Sequence, residues 1–510
     1  MNKIIYPTLN LFLYDIRDEL GQSKEEFTQN QEYFKLKLPS TLSASISSHD
    51  RGFNVEYGEL LGSQRIERFT SKNKTYEGYY YPVRMNDTYG LLLDCSINDK
   101  VNPQPVSCLK NLRMEVERKI QGSRYSIGQT WMILGYLSED YLVGDDISVS
   151  DSISGILDIA YECYENLMPH RNAEKDYQGD GSILGGKLFE FWHHEFNLPG
   201  ELVDNIPEIG DFVENNHVIV VLFPNQADMR QFSELNYDWM RLFKYRNTIL
   251  WAYAQSLLLK EMLKNQFQYI QGYIRDLMGD KSQYISNEKL KKILDEARIS
   301  MSEYAIDFTY FKSQARTIKT NLYNYQKILS SIIESANKAN LSKNRASYVP
   351  RIIVDNDLCV LEEFWRNSSE KYHLQLTRDS ENLRPGIGLL EVLIETIQAT
   401  VTLRQAESDR KFNATIQTWG WGLAIASIFV SIVSSSIGEV SIDKKNLPFK
   451  NYLTDIFPGL YDEWVTSVYI FFLNIISFTI SLLLALAVWY LFQKFLSFLG
   501  RLWRLKNRKR

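Results

Sequence analysis

The chain has 510 residues, 45% of them hydrophobic, with 57 Lys and Arg against 62 Asp and Glu for a formal net charge of −5. That length accommodates two or three domains. A balance so near neutrality excludes a general electrostatic grip on polyanions, so direct nucleic-acid binding is not expected.

The first 230 or so residues read as mixed α/β. Strand-like runs include Ile4-Ile5-Tyr6, Tyr79-Tyr80-Tyr81-Pro82-Val83 and Leu91-Leu92-Leu93-Asp94-Cys95. The last two flank Asn86-Asp87-Thr88-Tyr89-Gly90, a hairpin-turn composition. Leu109, Leu112, Val116 and Ile120 recur at helical spacing and predict a helix over Cys108–Ile120. Asp151-Ser152 is positioned to cap another helix that runs to about Met168. His217-Val218-Ile219-Val220-Val221-Leu222-Phe223 predicts a buried strand, stopped by Pro224.

From about Phe232 glycine and proline become scarce and long helices are expected, over about Tyr237–Met278, Asn287–Lys338 and Leu358–Thr377. The polar stretch Asn340–Pro350 reads as a connection. Pro385-Gly386 predicts a break. Beyond it Leu389, Val392, Leu393, Thr396, Ile397, Thr400 and Leu403 form one helical stripe. No proline follows until Gly438 is passed, and Gly420 and Gly422 are tolerable in a membrane helix. One continuous stalk of about 50 residues, near 75 Å long, is expected over Leu389–Gly438.

Charge spacing defines the C-terminal part. No charged residue occurs between Lys411 and Glu439, or between Glu463 and Lys494. Each gap exceeds the roughly 20 residues a helix needs to cross a bilayer. Trp419, Trp421, Trp464, Tyr469, Trp489, Tyr490 and Trp503 cluster toward the ends of these stretches, as interfacial aromatics do. Arg404, Arg410 and Lys411 precede the first stretch; Arg501, Arg504, Lys506, Arg508, Lys509 and Arg510 follow the second. Both termini are therefore expected in the cytoplasm of a cell inner or plasma membrane, with the intervening loop outside. The basic tail suits anionic lipid headgroups. The Met1 end carries no apolar run of the signal-peptide kind. Cys95, Cys108, Cys163 and Cys359 show no metal-ligand spacing and read as reduced, structural thiols.

The predicted fold class is an α+β cytosolic domain followed by long α-helices and two transmembrane helices. The expected divisions are 1–231 for the α/β domain, 232–385 for the long helices and 386–438 for the stalk and first span. An external loop over 439–463, a second span over 464–493 and a basic tail over 494–510 follow.

Within the first span, Asn413, Gln417, Gly420, Ala424, Ser427, Ser431, Ser434 and Gly438 alternate by four and three, occupying an arc of about 100°. Ile425, Phe429, Val430 and Val433 take the opposite side. Several copies arranging the polar and small stripe around an axis would make a pore wall, with Glu439 and Asp443 at its outer mouth. Close helix packing through small residues is the alternative; it accounts for the glycines and the alanine better than for Asn413 and Gln417. The second span has a weaker stripe of Ser467, Asn474, Ser477, Ser481 and Ala485, in which Asn474 suits an interhelical hydrogen bond.

Two patterns invite enzymatic or metal readings. Gly181-Ser182-Ile183-Leu184-Gly185-Gly186-Lys187 has the spacing of a phosphate-cradling loop, but Leu188 follows where a magnesium-ligating hydroxyl belongs. His193-His194-Glu195 offers ligand types at adjacent positions that point different ways, with no further ligand spaced to join them. No nucleophile–base arrangement is visible, and an enzyme is not expected.

An α/β domain, long helices, a stalk running into a first span, a short outer loop and a second span with a basic end together resemble the CorA-like cation transporters. The resemblance covers the whole chain loosely and Leu389–Arg510 most closely. It implies a homo-oligomer, a pentamer by preference, whose first span lines a pathway for a divalent cation. The family's Gly-Met-Asn signature is absent: its place reads Ser434-Ser435-Ser436-Ile437-Gly438-Glu439. The large N-terminal part and the missing signature look more like the CorA-like membrane proteins of type III CRISPR antiviral defence. That resemblance implies an effector opened by a nucleotide second messenger. A membrane-tethered sensor or scaffold without transport is the alternative.

Overall fold

The chain divides into two compact units, Met1–Gly420 and Trp421–Arg510. The computed structural model describes residues 2–407 except 20, 51–55, 72–73, 138–148, 197–212, 279–285 and 345–355. All the described residues belong to the first unit.

A ten-stranded sheet is its centre, with strands β1 (Lys3–Ile16), β2 (Gly58–Glu59), β3 (Glu67–Thr70), β4 (Tyr76–Met85), β5 (Thr88–Ile97), β6 (Pro103–Pro105), β7 (Gly128–Tyr136), β8 (Tyr177–Ile183), β9 (Gly186–Phe196) and β10 (Val213–Phe223). The order is β2-β4-β5-β1-β7-β10-β9-β8, with β3 on β4 and β6 on β1. Every pairing is antiparallel except β10 on β7. The β4–β5 hairpin turns at Asn86, whose φ of 54 is a left-handed value that asparagine tolerates.

Both faces of the sheet are covered, so its inner strands are apolar at successive positions rather than alternating with polar residues. Leu9, Leu11 and Leu13 of β1, Ile133 of β7 and Val218, Val220 and Leu222 of β10 enter one core. That core is closed by α1 (Lys24–Lys35), α2 (Ser43–His49), α3 (Cys108–Lys119) and α4 (Val149–Leu167). Helix α1 starts at a reciprocal cap between Ser23 and Glu26. The helix expected from Cys108 forms, with Leu109, Leu112, Val116 and Ile120 buried. Helix α4 begins at Val149, ahead of the expected Asp151-Ser152 cap. The short α5 (Ala173–Asp176) leads into β8.

Phe12 and Tyr14, Met132 and Leu134, and Ile219, Val221 and Phe223 enter the core on the other face. There α6 (Gln226–Ser233) is followed by the long α7 (Asn236–Met278) and α8 (Asn287–Asn344), which pack on each other. Helix α9 (Cys359–Asn367) passes through a π-helical turn at Ser368–His373 into α10 (Leu374–Leu383), beyond the Thr377 end expected.

Proline at 385 starts α11 (Pro385–Glu407) rather than breaking the chain. Arg384 keeps right-handed helical angles, and a proline at the first helical position gives up an N–H that has no intrahelical acceptor anyway. Gly386, Leu390, Leu393, Ile397 and Val401 are buried positions of α11, which packs on α8, while Leu389, Val392, Thr396 and Thr400 flank that seam half-buried. The rest of the expected stalk, from residue 408 to Gly438, lies outside the described residues. Among the described residues no helix is long and apolar enough to cross a membrane.

Candidate functional site: a buried polar cluster between sheet and long helices

Alternation along β7, β9 and β10 puts Thr130, Glu190, His194, Asn215 and His217 on the face covered by α7, α8 and α9. They meet a row of polar groups on α7 rather than an apolar surface. The Asn215 amide lies 2.9 Å from Asn247 Oδ1, Asn247 Nδ2 donates to Thr130 Oγ1 at 3.1 Å, and Thr130 Oγ1 is 2.9 Å from His217 Nδ1. His217 Nε2 is 3.1 Å from Glu190 Oε1. Burial pushes the His217 pKa well below the usual histidine range, reinforced by the charge of Arg246. A neutral imidazole has one donor and one acceptor nitrogen. The chain is satisfied when Nδ1 accepts from Thr130 and Nε2 donates to Glu190.

The hydrogen-bond chain ends at Glu190, whose Oε2 is buried without a partner among the described residues. Burial pushes this carboxyl up to about 7; Arg246 opposes the rise and Glu363 adds to it. Arg246 itself is fully buried, and among the described residues none of its three guanidinium nitrogens has a hydrogen-bond partner. Its guanidinium lies over the Phe364 ring, 4.8 Å from the centroid. Burial lowers its pKa, which Glu190 counteracts. Arginine nevertheless keeps its charge in proteins, so the cluster holds a permanent cation and a carboxyl that titrates near neutrality.

Tyrosines close the cluster on the helical side. The Tyr325 hydroxyl donates to the Leu361 carbonyl at 3.0 Å. Tyr372, in the π-turn, stacks on Tyr253 with ring centroids 4.1 Å apart and places its hydroxyl 3.2 Å from His194 Nε2. Burial drives the His194 pKa down to about 3, with Arg246 and His193 contributing. π-Turns are rare and recur at functional sites. Here the π-turn carries Tyr372, whose hydroxyl reaches His194 on β9.

The His193-His194-Glu195 reading needs correcting. The β9–β10 register puts Glu214 opposite Glu195, and His193, Glu195 and Glu214 can bring one ligand atom each within 4.8 Å of one another. His193 Nδ1 also lies 3.5 Å from Asp176, while Arg171 pairs with Glu214. A further ligand type is thus near in space although distant in sequence. Glu195 and Glu214 are exposed and Glu214 is already paired, so the group is a solvated charge cluster.

The phosphate-loop spacing folds as the β8–β9 hairpin. Leu184 and Gly185 make the turn, with φ of 51 and 82, and no helix follows. Asn356 Oδ1 takes the Leu184 N–H at 2.7 Å, and Ser182 pairs with Asp357. A Cβ at Gly181 would run into the Asp357 carbonyl, so that backbone face is occupied by the chain itself.

Asn413, Gln417, Gly420, Ala424, Ser427, Ser431, Ser434, Gly438, Glu439 and Asp443 lie outside the described residues. The cluster around Arg246 carries one sequence signal. Trp239, Leu242, Phe243, Arg246, Ile249, Leu250 and Tyr253 fall on one helical stripe, and Arg246 is the charged residue in it. No protein-family model matches this chain, and no curated protein sequence matches it.

Proposed function

We propose that the chain is a homo-oligomeric ion channel or cation transporter of CorA-like type, gated by a ligand that its sheet-and-helix unit senses. The observation that carries this is the pair of charge-free stretches, Phe412–Gly438 and Trp464–Gln493, the first with its polar and small stripe. A polar stripe along a membrane helix is unfavourable against lipid and calls for partner copies. The described unit supports the reading in two ways. Helix α11 precedes the first stretch in sequence, and its root is seated on α8, which also lines the Arg246 cluster through Tyr325. A ligand with different affinity for two seatings of these helices would shift a closed–open equilibrium.

The resemblance extends the reading to an effector of type III CRISPR defence answering a nucleotide second messenger; a CRISPR locus among neighbouring genes supports that form. The deciding experiment is ion flux into liposomes, with oligomer mass measured on the same samples. The parent is expected to conduct and to assemble from three or more copies, a pentamer by resemblance. Ser431→Leu should assemble and block flux, whereas Ile425→Ser should leave it largely intact. Normal flux in assembled Ser431→Leu would remove this face as the pore wall. A stable, non-conducting monomer would leave the tethered sensor.

A further inference from the structure

We propose that the Arg246 guanidinium and the free oxygen of Glu190 form a receptor for a protonated oxyanion of the phosphate class, which accepts hydrogen bonds from Arg246 and donates one to Glu190.

A buried guanidinium is costly unless its charge is paired and its N–H groups find acceptors. Arg246 is 0% exposed, and among the described residues all three of its nitrogens lack a hydrogen-bond partner. The natural acceptor, Glu190, is near enough to act on it electrostatically, yet its second oxygen is also unpartnered. Two complementary groups, both buried and both without a hydrogen-bond partner among the described residues, lie within electrostatic reach of one another. The group that completes both must offer oxygen acceptors to a fork of N–H donors and a proton to a carboxylate. A phosphate bearing one proton does this; arginine's planar fork suits its geometry.

The fixed end of Glu190 explains why it would act as an acceptor. Oε1 is held by neutral His217, so Oε2 is left to meet the ligand. The groups acting on this carboxyl from the surrounding elements are His217 on β10, Arg246 on α7, Tyr325 on α8 and Glu363 on α9. Only Arg246 among them is a cation, so an ionised Glu190 would repel an anion that has no proton to offer. Sulfate is such an anion, and discrimination between phosphate and sulfate is therefore the signature of the site. As pH falls through about 7 and Glu190 takes up a proton, it becomes a donor and sulfate should be admitted.

The ligand would sit where elements leading to the stalk converge. Phe364 and Tyr372 belong to the segment that continues through α10, tied to α7 by Lys260–Asp379 at 2.6 Å, into α11. That regulatory consequence rests on the channel reading; binding itself does not.

The test is isothermal calorimetry on the full chain in lipid discs, with inorganic phosphate and sulfate as probes in a chloride background at pH 8. The parent should bind phosphate at least about tenfold more tightly than sulfate, the scale of one hydrogen bond to a charged group. Glu190→Gln keeps an acceptor for His217, and its phosphate-to-sulfate ratio should fall below about threefold. Sulfate binding to the parent should strengthen at pH 6, and not in Glu190→Gln. Arg246→Gln should lose both anions, with Arg246→Lys recovering part of the phosphate affinity. The ratio within one Glu190→Gln sample is insensitive to the folded fraction, which guards against a merely misfolded Arg246 variant. Absence of phosphate binding, equal binding in Arg246→Gln, or an unchanged ratio in Glu190→Gln would each overturn the proposal. Phosphate binding without flux under any condition removes the channel and leaves the receptor; flux without phosphate binding does the reverse.

Discussion

Two glycines at the start of α11 should respond to the same substitution with opposite sign. Gly386 and Gly388 both lie in the first turns of α11. Glycine in a helix interior costs about 0.5–1 kcal/mol relative to alanine, so replacing either would stabilise the helix taken alone. At Gly388 a new Cβ meets nothing within 4 Å, and that gain should be realised. At Gly386 the Cβ would fall inside van der Waals contact of the Tyr304 hydroxyl and its ring carbon Cζ, and 2.8 Å from Cε1. Tyr304 is fully buried on α8, and its hydroxyl donates to the Leu383 carbonyl at 2.6 Å. The ring can retreat only by surrendering that hydrogen bond, worth about 1 kcal/mol. If it stays, overpacking costs about 1–3 kcal/mol. The expected net effects are a loss of about 0.5–2 kcal/mol for Gly386→Ala and a gain of about 0.5–1 kcal/mol for Gly388→Ala. Chemical denaturation of the full chain in detergent, followed by tryptophan fluorescence, reads both as shifts of the midpoint. The Gly386→Ala/Tyr304→Ala pair should lose less than the sum of its single variants, because the residues are in contact. A midpoint that rises in Gly386→Ala as it does in Gly388→Ala would refute the close approach of α11 to α8.

Three further outcomes are expected. In a cysteine-free background, Asn446→Cys should label from outside the cell and a tail cysteine should not; the converse pattern inverts the orientation. The Lys37–Asp15 ion pair, 3.0 Å long with both side chains 0% exposed, should make Lys37→Met costly, by about 3–5 kcal/mol in denaturation, with Lys37→Met/Asp15→Leu recovering most of the loss. A Lys37→Met variant as stable as the parent would remove the pair. His194 has its pKa lowered to about 3, so between its unfolded value near 6.5 and that figure the unfolded chain binds a proton the folded chain refuses. Stability is therefore lost as pH falls, and His194→Gln should lose less than the parent between pH 7 and 5, by about 1–2 kcal/mol. Parallel profiles for the two proteins would show that His194 is not held neutral.

Scarcity of glycine and proline placed the long helices: Asn236–Met278 begins within a residue of the expected start, and Asn287–Asn344 overruns its expected end. These helices bury a stripe set by local spacing, so the pattern of their own residues suffices. The β4–β5 hairpin and the His217–Phe223 strand were legible for the same reason, since apolar runs and a turn residue are local signals. Charge spacing likewise marks the two C-terminal stretches as membrane-spanning candidates without any tertiary information.

Non-local contacts decided the rest. Pro385-Gly386 reads as a break because proline lacks a donor and glycine is flexible; the fold uses the first as a helix start and the second to admit Tyr304. His193 gains Glu214 through strand register, which no spacing within either strand encodes. The Arg246 cluster is the clearest case. Its charged and polar members come from β7, β9, β10, α7, α8 and the π-turn, up to 242 positions apart between Thr130 and Tyr372. Each alone is an ordinary residue on an amphipathic element. Only the closing of the long helices over the sheet removes water from all of them together, and that shared desolvation leaves a guanidinium and a carboxyl facing a ligand's chemistry.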